Sequence, residues 1–249
     1  MALKAAEVFS SIQGEGLYAG ARQVFLRLSG CNLKCRYCDT PETREAPSVV
    51  MVESKPAGGD FYEIANPIAV EMMADILIKI YGRRKLHHSL SITGGEPLLQ
   101  VDALLKLLPP LREKGVRIYL ETNGTLPEAM RRLAPVTDIV AMDIKLETAA
   151  GVKVPHEVQR RFIEEARGTD LFLKMVVTAG TDRVEFMDTV QWLAKFAADI
   201  PLILQPVTPF GDIRGWLPPH MLITYIDAAS EVLESVRAIP QMHKLLGQL

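Results

Sequence analysis

Along most of the chain, short β-type apolar runs alternate with amphipathic stretches of helical period, and this confines it to the α/β class with a mainly parallel sheet. The runs are Gln23 to Leu28, Ser89 to Thr93, Val116 to Leu120, Ile139 to Ile144, Leu171 to Val177, Leu202 to Pro206 and Val236 to Ile239. Helical stretches lie between most of them, at Pro67 to Tyr81, Asp102 to Lys114, His156 to Ala166, Val184 to Ala198 and Pro219 to Leu233. Pro67 and Pro219 read as first-turn prolines, whose missing N–H needs no partner there. From the second run onward the spacing is roughly 20 to 35 residues, that of a strand plus a crossover helix. The pattern predicts a partial or complete (β/α) barrel, with an open doubly wound sheet as the alternative. No Gly-x-Gly-x-x-Gly turn follows any run, which weakens a dinucleotide-binding version. In either arrangement, loops at the C-terminal ends of the strands carry the site.

The rhythm breaks once. About 60 residues separate the first two runs, and they include a Pro-, Glu-, Gly- and Ser-rich stretch, residues 41–66, which reads as an insertion or lid. No linker composition divides the chain, so residues 1–249 read as a single domain. With 48% hydrophobic residues, the chain can bury one large core without disulfides. Its 28 Lys+Arg against 30 Asp+Glu give no basic field for nucleic acid or an anionic membrane. No apolar run approaches the roughly 20 residues of a membrane span. The N-terminal residues Met-Ala-Leu-Lys-Ala-Ala-Glu-Val-Phe lack a signal or transit pattern, so a cytoplasmic location is expected.

All three cysteines sit in one decapeptide after the first run, Cys31-Asn32-Leu33-Lys34-Cys35-Arg36-Tyr37-Cys38-Asp39-Thr40. A structural zinc site wants four protein ligands; with no fourth cysteine, one of His87, His88, His156, His220 or His243 would have to fold back. Unligated buried cysteines fit poorly in so polar a loop. Electron-transfer clusters are held by four thiolates, so three leave one iron of a 4Fe-4S cluster open for chemistry.

The Cys-x3-Cys-x2-Cys spacing, with Tyr37 before the last cysteine, resembles the radical S-adenosylmethionine superfamily. The resemblance implies a 4Fe-4S cluster on Cys31, Cys35 and Cys38. Its open iron would chelate S-adenosylmethionine, whose reductive cleavage gives a 5′-deoxyadenosyl radical. Thr93-Gly94-Gly95-Glu96-Pro97 is similar to the superfamily's Gly-Gly-Glu motif, with Glu96 as the expected acceptor for the cofactor's ammonium. Glu121-Thr122-Asn123-Gly124 and Asp143-Ile144-Lys145, both at the ends of runs, resemble the stretches that hold the cofactor's ribose and carboxylate. The implied cofactor residues are Tyr37, Cys38, Asp39, Gly94, Gly95, Glu96, Glu121, Asn123, Asp143 and Lys145. Strand alternation makes Lys174 a further candidate to face the site.

Within the superfamily, the segment Glu7 to Gly16, Arg27, the Cys35-to-Thr40 ending and the segment Arg237 to Lys244 resemble the 7-carboxy-7-deazaguanine synthase family. That family turns 6-carboxy-5,6,7,8-tetrahydropterin into 7-carboxy-7-deazaguanine, with ring contraction and loss of ammonia, on the route to queuosine-type 7-deazapurines. The resemblance implies substrate contacts from Ile12, Gln13, Gly14, Glu15, Arg27, Thr93, Gln241 and His243. Gln13 and Glu15 can read the pyrimidine edge, and the Arg27 guanidinium suits a carboxylate. Thr40 corresponds to a magnesium ligand, although by itself it reads as a helix N-cap before Pro41. A flavodoxin or ferredoxin donor and a homodimer are implied as well. Asp143-Ile144-Lys145 with His156 also resembles activating enzymes for glycyl-radical proteins, and a non-catalytic iron–sulfur redox sensor is the alternative from another class.

Overall fold

The computed structural model describes residues 1–82, 86–210 and 213–247. Its strands are β1 (Ala2–Leu3), β2 (Ala5–Ile12), β3 (Arg22–Leu28), β4 (Val49–Glu53), β5 (Phe61–Ala65), β6 (Ile68–Ala69), β7 (Ser89–Gly94), β8 (Ile118–Thr122), β9 (Ile139–Ile144), β10 (Asp170–Val177), β11 (Leu202–Pro206) and β12 (Val236–Ala238). The helices are α1 (Val70–Tyr81), α2 (Val101–Glu113), α3 (Pro127–Leu133), α4 (Glu147–Ala150), α5 (His156–Ala166), α6 (Arg183–Ala194), α7 (Pro219–Ser230) and α8 (Met242–Leu246).

Ten strands form one sheet in the order β12-β11-β10-β9-β8-β7-β3-β2-β4-β5. The run from β3 through β7 to β12 is parallel throughout, and its strands are the ones that the apolar pattern predicts. Among the described residues the edge strands β12 and β5 pair with no common neighbour, so the sheet is an open partial barrel. The longer helices each bury one stripe. In α1 it is Val70, Met73, Ile76, Leu77 and Ile80, and in α2 Ala103, Leu104, Leu107, Leu108 and Leu111. These pack on the outward residues of the strands, such as Leu26, Ile92, Leu120, Met142 and Leu204.

One expectation gains detail and one is corrected. The stretch 41–66 carries more regular structure than its composition suggests: it contains a turn of 3-10 helix at Pro41–Arg44 and the hairpin β4–β5, which extends the sheet. Val50 and Val52 are fully buried, and the Glu53 carboxylate accepts the Ser10 amide at 2.8 Å, fastening the hairpin to β2. The Pro- and Gly-rich residues fall in its turn and flanks, which masked a strand pair beside them. Pro67 is the second: it precedes β6, and α1 begins only at Val70, whereas Pro219 does open α7.

Strand alternation builds the site. Inward residues near the strand starts form a small apolar cluster of Tyr119, Ile139, Ala141, Phe172 and Ile203, against which Tyr18 packs. Toward the C-terminal ends the same inward positions become Arg27, Thr93, Glu121, Asp143, Lys174 and Gln205. The barrel interior is thus apolar at one end and charged at the other.

Candidate active site

The charged end opens into a cavity of about 390 Å³. Cys31, Cys35, Cys38 and Thr40 line it on one side, and Ile12, Gln13, Gly14, Glu15, Arg27 and Thr93 line it elsewhere. Tyr37, Asp39, Gly94, Gly95, Glu121, Asn123, Asp143, Lys145, Gln241 and His243 complete the set that the motifs single out. Of the expected site residues, Glu96 alone is absent from this wall. Its side chain is fully buried, and its carboxylate accepts from Thr122 Oγ1 at 2.9 Å, Asn123 N at 2.8 Å and Leu98 N at 3.1 Å. Burial raises its pKa to about 7 against the pull of these donors. The carboxylate therefore ties β7 to β8 and leaves the rim to the backbone of Gly94 and Gly95. Glycine is needed there by close packing: a Cβ at Gly95 would lie 2.1 Å from the Gly30 carbonyl oxygen.

The cysteine loop hangs from these strand ends. Glu96 N donates to Gly30 O at 2.8 Å, Arg44 Nη2 to Cys35 O at 3.2 Å, and Arg36 N to Ala150 O at 2.8 Å. Asn123 Nδ2 donates to Asn32 Oδ1 at 2.9 Å, so this residue anchors the loop as well as facing the cavity. Among the described residues, the three Sγ atoms are not gathered within 4.8 Å of one another. A single ion with Zn–S bonds of about 2.3 Å needs a tighter set. Three thiols lining one cavity at wider spacing fit a multi-iron cluster. Burial pushes the Cys31 and Cys35 thiols up, so metal binding must release their protons.

Charges alternate across the cavity floor. Lys145 Nζ meets Asp143 Oδ2 at 2.8 Å and lies 5.1 Å from the Tyr37 ring centre. Asp143 Oδ1 lies 3.6 Å from Lys174 Nζ, which in turn meets Glu15 Oε2 at 2.5 Å. Gln241 Nε2 donates to both Glu15 Oε1, at 2.9 Å, and Asp39 Oδ2, at 3.1 Å. Burial opposes the charge on Glu15, but Lys174 overrides it and holds the pKa down to about 2. Beneath this row, Gln13 Nε2 donates to Glu121 Oε1 at 2.8 Å and Thr93 Oγ1 to Glu121 Oε2 at 3.2 Å. Arg27 Nε donates to Glu7 Oε1 at 2.6 Å, with its guanidinium over the Phe9 ring.

Thr40 does stand at the N-cap of the 3-10 turn with Pro41 next, but its hydroxyl makes no capping bond. The sequence reading left out Gln205, whose Oε1 is buried, unpaired and part of the cavity wall. Its inward place on β11, one residue before Pro206, was the available signal. Lys174, only a candidate in sequence, lies at the centre of the charge row.

An open partial barrel with three cysteines on the loop after its first parallel strand defines the class. The radical SAM superfamily model matches residues 26–193, and the chain belongs to that superfamily. It is 42% identical over 245 residues to a 7-carboxy-7-deazaguanine synthase of Geobacter sulfurreducens, covering 98% of this chain and 96% of the relative. A Thermococcus kodakarensis protein of the same name is 38% identical, with 98% of each chain covered. The chain therefore belongs to the 7-carboxy-7-deazaguanine synthase family. The fold is also that of QueE from Escherichia coli, at a TM-score of 0.61 and 22% identity over 98% of this chain and 95% of that one. Streptococcus suis SuiB bound to S-adenosylmethionine shares it at a TM-score of 0.56 and 16% identity, over 84% of this chain and 48% of that one. Family membership decides against the activating-enzyme and redox-sensor alternatives. Among the described residues, no helix is long and apolar enough to cross a membrane.

Proposed function

We infer that this chain is a 7-carboxy-7-deazaguanine synthase, converting 6-carboxy-5,6,7,8-tetrahydropterin to 7-carboxy-7-deazaguanine with ring contraction and loss of ammonia. The observation that carries the reading is one cavity walled by the three-cysteine loop and also by Gln13, Glu15 and Arg27. The 4Fe-4S cluster and S-adenosylmethionine, held in this reading by Cys31, Cys35 and Cys38 and by the Lys145 side of the cavity, supply radical hydrogen abstraction when bound.

The protein's own groups account for recognition. A flat pterin presents adjacent N–H donors and a carboxylate. Glu15, fixed as an anion, accepts the donors, and the guanidinium of Arg27 offers its terminal nitrogens to the carboxylate. Gly14, with no side chain, lets His243 close directly against the turn at the cavity wall. The uncapped Thr40 hydroxyl supports a magnesium ion that would orient substrate oxygens. A flavodoxin- or ferredoxin-type donor, a homodimer and a cytoplasmic location complete the reading and follow from the family.

The deciding experiment is anaerobic reconstitution with iron and sulfide, followed by S-adenosylmethionine, magnesium, a strong reductant and 6-carboxytetrahydropterin, with products analysed by mass spectrometry. Joint appearance of 7-carboxy-7-deazaguanine and 5′-deoxyadenosine is expected. 5′-Deoxyadenosine alone would reject the pterin assignment. Strict removal of magnesium should slow product formation while leaving S-adenosylmethionine binding intact; an unchanged rate would remove the ion from the scheme.

A further inference from the structure

The geometry points to Lys174 as a positioning residue for substrate recognition: its ammonium holds the Glu15 carboxylate in one orientation as the acceptor for paired N–H donors of a flat heterocycle. The inference rests on the pterin reading above and adds a residue that reading does not use.

Lys174 occupies an inward position of β10, between Phe172 and Val176. It is 5% exposed, and a lysine so placed needs anions to stay charged. It has two. Glu15 Oε2 lies at 2.5 Å and Asp143 Oδ1 at 3.6 Å, and Asp143 turns its other oxygen to Lys145. Lys174 therefore stands between the substrate side of the cavity and the side facing the cysteine loop. Tyr119 and Glu121 face it from β8. On the far side of Glu15 stand Asp39 from the cysteine loop and His243 from α8.

The orientation matters because of lone pairs. With Lys174 on Oε2 and Gln241 on Oε1, each Glu15 oxygen keeps an acceptor direction free. Two parallel N–H donors, such as the ring N–H and exocyclic amine of a 2-amino-4-oxo pyrimidine, match that pair of acceptors. A protonated Glu15 would present a donor to one of them and leave it unpaired. Glu15 lies on a turn rather than a strand, so its aim depends on what its carboxylate touches. Lys174 is the contact that carries charge.

The test compares wild type, Lys174→Met, Lys174→Arg, Glu15→Gln and the Glu15→Gln/Lys174→Met double variant, all with reconstituted clusters verified by iron content. Equilibrium binding of 6-carboxypterin, a fluorescent stable analogue, is measured from pH 5.5 to 8 without turnover. Lys174→Met is expected to weaken binding by about tenfold or more. It should also make binding fall as pH drops, because the buried carboxyl then takes up a proton. Lys174→Arg should recover most of the affinity. Glu15→Gln should weaken binding with no pH dependence, and adding Lys174→Met to it should cost little more.

Wild-type affinity in Lys174→Met would overturn the inference, as would a pH-independent loss that adds fully to that of Glu15→Gln. So would weakened S-adenosylmethionine binding with pterin affinity unchanged, which would assign Lys174 to the Asp143–Lys145 side. The double variant carries no buried unpaired charge, so the comparison survives if Lys174→Met alone folds poorly. Failure of the pterin reading itself shows separately, as wild-type protein that forms no product from 6-carboxytetrahydropterin.

Discussion

Gly14 and His243 touch across the whole length of the chain. A Cβ on Gly14 would lie 1.9 Å from His243 Nδ1 and 2.7 Å from His243 Cβ, while Met242 N donates to Gly14 O at 2.8 Å. The C-terminal segment is therefore seated on the N-terminal turn, and Gln241 reaches Glu15 and Asp39 because of that seating. Ring rotation alone cannot clear the clash, because His243 Cβ is also too close. Gly14→Ala should displace the segment at a cost of about 1–3 kcal/mol. The expected result is a higher KM for the pterin with cluster content unchanged, read by steady-state kinetics beside iron analysis. An unaltered KM would show that the segment does not shape the substrate side.

Cys31→Ala, Cys35→Ala and Cys38→Ala should each lose the cluster and all turnover, since no fourth cysteine exists to substitute. The folded chain should persist, because each cysteine is only partly buried and none belongs to the apolar core. Iron and sulfide content, circular dichroism and 5′-deoxyadenosine formation measure the three effects. Turnover in any of these variants would contradict the ligand assignment.

Arg27→Lys should raise the KM for the pterin while cluster content holds. Lysine keeps the charge but loses the planar fork, and with it the Nε bond to Glu7 at 2.6 Å that leaves the terminal nitrogens free. Loss of iron in this variant would instead make Arg27 a structural element of β3.

Glu96 gives the fold a pH dependence of definite sign. Its folded pKa, raised by burial to about 7, exceeds its ordinary value of 4.5, so the folded state binds the proton more tightly. The stability it contributes is fully present below pH 4.5, declines between 4.5 and 7, and is gone above. At about 1.4 kcal/mol per pKa unit, the loss is about 3 kcal/mol. Denaturant melts of wild type and Glu96→Gln between pH 4.5 and 8.5 should show stability declining more steeply in the wild type. Parallel profiles would mean that Glu96 titrates normally.

Fold and site differ in how legible they were. The parallel strands β3 and β7–β12 were readable because an apolar run declares itself within a few residues, and period and spacing are local quantities. Strand β2 lay inside a segment that drew notice only as a motif, and β4–β5 inside one judged by its prolines and glycines. β5 is the edge strand, where partial exposure thins the apolar signal, whereas β2 is internal and its buried Ser10 and Ser11 interrupt its apolar run. The three cysteines needed no structure to be read together, because they share one decapeptide.

The sequence by itself therefore determined the α/β class, the grouping of the three thiols and the strand ends that line the cavity, since each is encoded by neighbours in the chain. Tertiary structure decided the partners. Glu15 meets Lys174 across 159 positions and Gln241 across 226, pairings that depend on strand order and on where the C-terminal segment comes to rest. Tertiary structure also decided the surroundings of Glu96: three protein donors meet its buried carboxylate, and no local pattern encodes that burial.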